Sequence, residues 1–389
     1  MLIPISNVAR DYSWGSIDLI PRLMGRVPTG APEAEIWYGD HPGNPSVVTG
    51  GDGQTLDAAL AAAGEPSLPY LLKLLAAGAS LSIQAHPTKA QAVAGFAREE
   101  AAGIPRDAAD RLYRDDNHKP EIIVALSDEF RALVGIRPLT ATRSLLAHLG
   151  AARGGALAHL DGMLADADEE RAVRTALEWA LTRATPADVG ELTASLDAAD
   201  DAAFAGEIGG LREAAADFPG DRGLFVALLM NRVVLRRGEA LFAPAGVLHA
   251  YQYGLGVELM AASDNVLRGG LTPKHVDVPE LLAVLDPAVG PAPLVPPVPL
   301  APGVAAFAPP VDDFSLVRAE VSGAPVSLAR RGPAIVLATA GTIEVREQGA
   351  DDRAVSLAPG AAVYVGGPGA GIVLSGAGEA FVAQPGTAD

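Results

Sequence analysis

No cysteine occurs among the 389 residues. Disulfide scaffolds and thiolate metal sites are thereby excluded, and any metal must be held by histidine, carboxylate, amide or water. A reducing compartment fits this composition, and a cytoplasmic location is expected. Long apolar runs are missing too. Much of the 49% hydrophobic content is alanine, and no stretch approaches membrane-spanning length. The opening MLIPISNVARDYSWGS lacks a basic segment followed by an apolar one, so no secretory signal is expected. Basic residues are scarce: 29 Lys and Arg stand against 47 Asp and Glu, a net charge of −18. That balance disfavours nucleic acid and anionic membranes as partners. An anionic substrate would need the few cations gathered in one place.

A chain of this length is expected to form two or three structural units. Residues 1–138 mix strand patterns with turns. Leu71 to Ala76 and Leu81 to His86 read as strands joined by Ala77-Gly78-Ala79. Pro87 ends the second, and Thr88 with Gln91 forms a capping box for a helix through Phe96. Residues 121–126 (EIIVAL) and 131–136 (RALVGI) read as further strands. Over 139–220 the chain turns to Ala, Leu, Glu, Asp and Arg at helical spacing, with Thr185-Pro186 a favourable helix start. This block is expected to be a helical insertion. Strand patterns return in 221–285, at 233–235, 240–243, 249–253 and 257–260. Residues 286–310 are proline-dense and read as a stiff extended linker or strap. Short strands with Gly and Pro turns fill 311–389. The expected fold is mainly β, with a first barrel-like unit interrupted by helices and a second β unit at the C-terminus.

Three segments carry chemistry. In Ser80-Leu81-Ser82-Ile83-Gln84-Ala85-His86-Pro87, alternation puts Ser82, Gln84 and His86 on one strand face. Such a face can also simply meet solvent. In DDNHKPEIIVAL, Pro120 suits a strand start, and Glu121 precedes a run that must be buried. A carboxylate there is costly unless it is paired or bound to a cation. His118 and Lys119 crowd the same turn. The third segment, residues 238–275, places His249, Tyr251 and Tyr253 on one face, with Glu258 among apolar residues and Arg268 in an Asn/Gly-rich loop. Tyr251 and Tyr253 also suit plain packing. Together, Gln84, His86, Glu121 and His249 make a thiolate-free site suited to zinc, with Mn, Fe or Co as alternatives. No histidine follows His275, so the C-terminal unit lacks the means for a second such site.

At these residues the sequence resembles the type I mannose-6-phosphate isomerases (phosphomannose isomerases) of the cupin superfamily. The resemblance rests on DYSWGS (11–16), AEIWYGDHPGNPS (34–46), LLKLL with SIQAHP (71–87), DDNHKPE (115–121), VLHAY (247–251) and ELMAASDNVLRGGLTPKHVD (258–277). It implies one zinc ion per chain on Gln84, His86, Glu121 and His249, and a catalytic arginine at Arg268. It also implies a catalytic cupin interrupted by helices, then a cupin-like domain without metal. The implied reaction interconverts mannose 6-phosphate and fructose 6-phosphate through an enediol. Glu258 is the candidate base, and holding Arg268 or a lysine is its alternative role. With no glycine-rich phosphate loop, the phosphate falls to Ser82, Lys73 and Lys274, helped by Lys119. Trp14, Trp37 and Asp264 are read as wall or supporting residues. A small-molecule sugar phosphate is the expected partner, and a monomer is expected. The rival readings are a metal-dependent oxygenase, a non-catalytic sugar-binding protein and an isomerase of another sugar.

Overall fold

The computed structural model describes residues 1–200, 203–349, 353–367 and 371–387. The strand Tyr70–Ala77, YLLKLLAA, is buried along its whole length. It lies between two cores, which explains a run with almost no polar alternation. Leu72, Leu74 and Ala76 pack with Ile335, Leu337, Tyr364 and Phe381 from the C-terminal part of the chain. Leu75 and Ala77 face a separate core with Ile123, Ala125, Leu241 and Tyr251. Alternation puts Lys73 on that second face.

The first sheet is organised around one long strand, His249–Ala261. Its first half pairs with Gln84–Ala85 and Phe130–Ile136, its second with Tyr70–Ala77 and Glu121–Ala125, all antiparallel. The two strands expected at 249–253 and 257–260 are therefore one. Gly254 takes φ 121° between them, where a Cβ would lie 2.9 Å from the Glu129 carbonyl oxygen. Only glycine fits that bend. The register slips between Tyr251 and Tyr253, and Tyr253 turns to lie under the Arg131 guanidinium. Glu35–Tyr38, Met230–Leu235, Ala240–Ala243, Leu267–Arg268 and Leu294–Val295 complete this ten-stranded sheet.

A second ten-stranded sheet is built on Ala334–Glu347 and Gly371–Gln384. Two expected boundaries change here. Leu2–Ser6 and Val47–Val48 join this sheet through Ala362–Val365, so residues 1–138 do not belong wholly to the first unit. The stretch 286–310, expected as a linker or strap, is tied into the sheets as a strap. It holds Leu294–Val295, Val298–Ala301 and Val304–Phe307, paired with one sheet or the other. Pro299, the one proline inside these strands, lies in Val298–Ala301 at the edge of the second sheet, where a missing N–H is tolerated.

Helices dominate the described residues between 139 and 229. Leu139–Leu149, Gly155–Met163, Glu169–Thr182, Pro186–Ala198, Ala205–Asp217 and Gly223–Leu229 share a core with Ile83, Ala85, Leu248 and Leu267. The block runs past residue 220 because GLFVALL is buried at every position and so shows no amphipathic period. Thr185 and Thr88 both form capping boxes, and the helix after Thr88 continues to Ala101.

Candidate metal centre and cleft

Ile83 and Ala85 pack into the helical core, which sends Ser82, Gln84 and His86 to the opposite face. Ladder pairing is confined to Gln84–Ala85, shorter than the expected 81–86, because Leu267–Arg268 runs beside it for only two residues. The rest is tied by the Leu81 N–H donating to the Tyr251 carbonyl (2.8 Å) and the Ile83 N–H donating to the Gly270 carbonyl (3.0 Å). His249, Gln84 and Arg268 are cross-strand neighbours in one row, and such neighbours project from the same face.

Nε2 of His86 lies 3.3 Å from one oxygen of Glu121, and Nε2 of His249 lies 3.2 Å from the other. All three residues are buried, with ligand atoms within 4.8 Å of one another. The imidazole protons can be assigned. Nδ1 of His86 meets the Asn265 carbonyl oxygen at 2.7 Å, and Nδ1 of His249 meets the Val247 carbonyl oxygen at 3.1 Å. A carbonyl only accepts, so each Nδ1 carries the hydrogen. Burial, reinforced by the Lys119 charge, pushes the His86 pKa down to about 4, so its ring is neutral at pH 7. Its Nε2 lone pair then faces a carboxylate and has no hydrogen-bond partner. Burial opposes the charge on Glu121, but its neighbours, the Lys119 ammonium foremost, outweigh it and hold its carboxyl well below the usual range. The unpartnered His86 Nε2 facing an ionised carboxylate is unfavourable unless a cation lies between them. Two imidazoles and a carboxylate suit zinc. The Gln84 amide NH2 donates to Ser82 Oγ at 3.2 Å, which leaves its carbonyl oxygen as a neutral donor.

Asn265, itself fully buried, fixes His86 from behind. Its side-chain oxygen accepts from the Arg114 N–H (2.7 Å), and its amide donates to the carbonyl oxygens of Asp115 (2.9 Å) and Asn117 (2.8 Å). One residue thus ties the turn before Glu121 to the carbonyl that orients His86.

A small chamber of about 50 Å³ adjoins the metal-ligand candidates, lined by Lys73, Glu121, His249, Tyr251 and Glu258 among others. It shares walls with an outer cleft of about 510 Å³. In the chamber Lys73 Nζ is 3.0 Å from Glu258 and 3.6 Å from Glu35, and it lies over the Trp37 ring. Burial raises the Glu258 carboxyl, with Lys73 opposing. Lys119 Nζ sits 3.0 Å from Glu121. Both lysines are therefore held by carboxylates at the inner end.

The outer cleft differs. Arg114, Arg268 and Lys274 line it and make no ion pair among the described residues. Desolvation, then the Arg268 and Arg114 charges, lowers the Lys274 pKa; desolvation, then Arg114, lowers that of Arg268. Three cations crowding one another form a ready site for an anion. Trp14 is a wall of this cleft, stacked on Tyr12, and Asp264 lies at its rim, 3.5 Å from His41. His118 points away, to Asp313 near the second sheet at 2.8 Å. Residues not singled out from sequence are Arg114, Glu35, Tyr12, Phe218 and Leu271. Arg114 directly precedes DDNHKPE, which is a usable signal; Phe218, inside the helical block, offers none. Tyr251 packs against Phe130 and also lines the chamber.

A buried histidine–carboxylate centre beneath a cation-rimmed cleft defines a β-sheet metalloprotein that receives a small anionic molecule. Comparison with known proteins narrows that class. A profile for the phosphomannose isomerase type I catalytic domain matches residues 2–139. Mannose-6-phosphate isomerase of Salmonella typhimurium is 36% identical, over 96% of this chain and 97% of the relative. That of Bos taurus is 30% identical, over 94% and 93%. A zinc-bound mannose 6-phosphate isomerase structure superposes with a TM-score of 0.88 at 34% identity, over 99% of this chain and 100% of the other. A Salmonella typhimurium structure of the same enzyme, bound to substrate and to zinc, gives the same values. The chain belongs to the type I phosphomannose isomerase family.

Proposed function

We infer that this chain is a zinc-dependent aldose–ketose isomerase that interconverts mannose 6-phosphate and fructose 6-phosphate through an enediol. The observation that carries this reading is the polarity of one cleft, with metal-binding groups at its floor and three unpaired cations at its outer end. A phosphorylated sugar fits that layout, with the phosphate outward and C1 and C2 inward. Gln84, His86, Glu121 and His249 are the proposed ligands for one zinc ion. Bound there, zinc supplies Lewis acidity to the sugar oxygens at C1 and C2.

The chain's own groups handle the proton. Glu258 is the proposed base between C2 and C1, poised by Lys73 and by burial that raises its carboxyl. Arg268 shares a row with Gln84 and a cationic cluster with Arg114 and Lys274, so it is the group placed to stabilise the enediolate. Lys274 and Arg114 take the phosphate, with Ser82 a hydroxyl along the wall. Lys73 and Lys119, expected from sequence to serve the phosphate, are reassigned to the inner chamber because their carboxylate partners hold them there. Trp14 shapes the sugar pocket. This reading takes the first sheet as a cupin-type barrel and the second as a cupin-like unit without metal. It also takes the enzyme as a cytoplasmic monomer, in keeping with a cysteine-free chain in which no described helix is long and apolar enough to cross a membrane.

The test is isomerisation of mannose 6-phosphate before chelation, after chelation and after zinc is restored. Loss and recovery of turnover are expected; turnover indifferent to chelation sinks the reading. Arg268→Ala should lower turnover by orders of magnitude with zinc content intact, and loss of zinc would make Arg268 structural.

A further inference from the structure

Leu271 is the one non-glycine residue with positive φ (52°) among the described residues. It is fully buried and lines the outer cleft. A bulky side chain adopts this left-handed conformation only where its surroundings impose it. The imposing group comes from the helical block. Oδ1 of Asp221 accepts from the N–H groups of Leu271 (3.0 Å) and Gly223 (2.7 Å), and Oδ2 accepts from the Thr272 N–H (3.0 Å). The two backbones meet so closely that a Cβ on Gly223 would lie 2.4 Å from the Leu271 nitrogen. Four residues earlier, Asp217 accepts from the Ser80 N–H at 2.7 Å, and Phe218 between them lines the cleft. The segment 217–223 thus grips the cleft wall on two sides.

Asp221 holds only part of the cationic loop. Arg268 is fixed separately by its pairing with Gln84. Lys274 has no such ladder, and its own N–H donates to the Thr272 hydroxyl at 3.1 Å. The carboxylate sits near a cationic site without competing for it, because its oxygens are occupied by three backbone N–H groups. We propose that Asp221 is a positioning residue that holds Leu271 in its strained conformation, clamps the 271–274 turn that follows from it, and so sets Lys274 for the substrate's anionic end. The helical block is then part of the substrate-recognition apparatus. This rests on the sugar-phosphate reading above.

The test compares full-length, zinc-loaded wild type with Asp221→Ala and Asp221→Asn. The clamp predicts that Asp221→Ala raises KM for mannose 6-phosphate by about tenfold or more while kcat changes less than about threefold, because the metal row is untouched. Zinc content should equal that of wild type, and the amides of residues 271 and 272 should exchange faster with solvent. Asp221→Asn keeps an oxygen for Leu271 and Gly223, so its KM should fall between the two. It also serves if the alanine variant fails to fold. An unchanged KM in either folded, zinc-replete variant overturns the proposal. If wild type does not turn over mannose 6-phosphate, the functional reading fails on its own. Amide exchange then decides the clamp: faster exchange at 271 and 272 in the variants supports it, and unchanged exchange overturns it.

Discussion

Both β units are ten-stranded and antiparallel, and both bend their longest strands at glycines, Gly254 in one and Gly341, Gly376 and Gly378 in the other. Their inward faces differ in kind. The second unit fills its interior with Val336, Ala338, Ile343, Val345, Ile372 and Leu374. The first keeps an apolar floor of Leu75, Ile123 and Leu241 but carries Lys73, Glu121, His249 and Glu258 on the same inward face. Catalytic capacity is thus set by a few inward side chains rather than by the architecture.

Two buried carboxylates sharpen the contrast. Glu379 in the second unit is fully satisfied. Arg237 and Arg318 each approach to 2.6 Å, and the Thr339 hydroxyl donates at 2.7 Å. Glu121 instead faces the Nε2 atoms of His86 and His249, and that of His86 has no hydrogen-bond partner. Glu379 meets only arginines and a hydroxyl, whereas Glu121, paired with Lys119 on one side, turns both oxygens to imidazole nitrogens and is placed to share a metal with them. Glu121→Gln should therefore have the largest effect on chemistry. It removes the charge that balances a metal, so zinc affinity should fall by at least about 100-fold and turnover with it, while the folded structure persists. Zinc analysis after dialysis, with circular dichroism, checks this. Full retention of metal and activity would remove Glu121 from the ligand set.

Glu379→Ala should do the reverse. Two arginines lose their shared partner at the seam between the sheets. Both are partly exposed and can rehydrate, so the cost should sit at or below the low end for a broken buried pair, at most about 3 kcal/mol. Thermal unfolding should register this as a lower Tm, with zinc content and KM unchanged at temperatures where the protein is folded. A Glu379→Ala enzyme of normal Tm would show that the seam is held by apolar contacts alone. Lost zinc would show that the second unit reaches the metal centre.

The site was more legible in the sequence than the boundaries of the units. Ser82-Ile83-Gln84-Ala85-His86 betrays its face because alternation survives even where ladder pairing fails. Glu121 stands out because a carboxylate opens a run that must be buried. Three things were hidden. The pairing of Leu2–Ser6 with Ala362–Val365 joins the two ends of the chain, and no local pattern encodes it. The helix Gly223–Leu229 is buried on all sides, which erases the period that reveals helices. The roles of Lys73 and Lys119 depend on which carboxylates lie opposite. Lys73 meets Glu258 by register, and register between strands about 180 residues apart is fixed only by the whole sheet.

The smallest expected effect concerns pH and separates the two units by composition. No histidine follows His275, so histidine-linked changes in stability must arise in the earlier part of the chain. Burial lowers the pKa of both His86 and His41 in the folded protein. The unfolded chain titrates near the ordinary value of about 6.5, so below that pH it binds protons that the folded form does not. Stability from these residues is present above about pH 6.5 and is lost as pH falls toward the folded value, about 4 for His86. The Tm of metal-free protein should accordingly decline between pH 7 and pH 5. Glu121, whose carboxyl is depressed, contributes in a different window, losing stability only below the ordinary carboxylate range. His86→Gln should flatten the slope between pH 7 and pH 5 and leave the acid limb in place. A slope unchanged by that substitution would mean that His86 is not held neutral by burial, and the argument for a cation between the imidazoles and Glu121 would lose its premise.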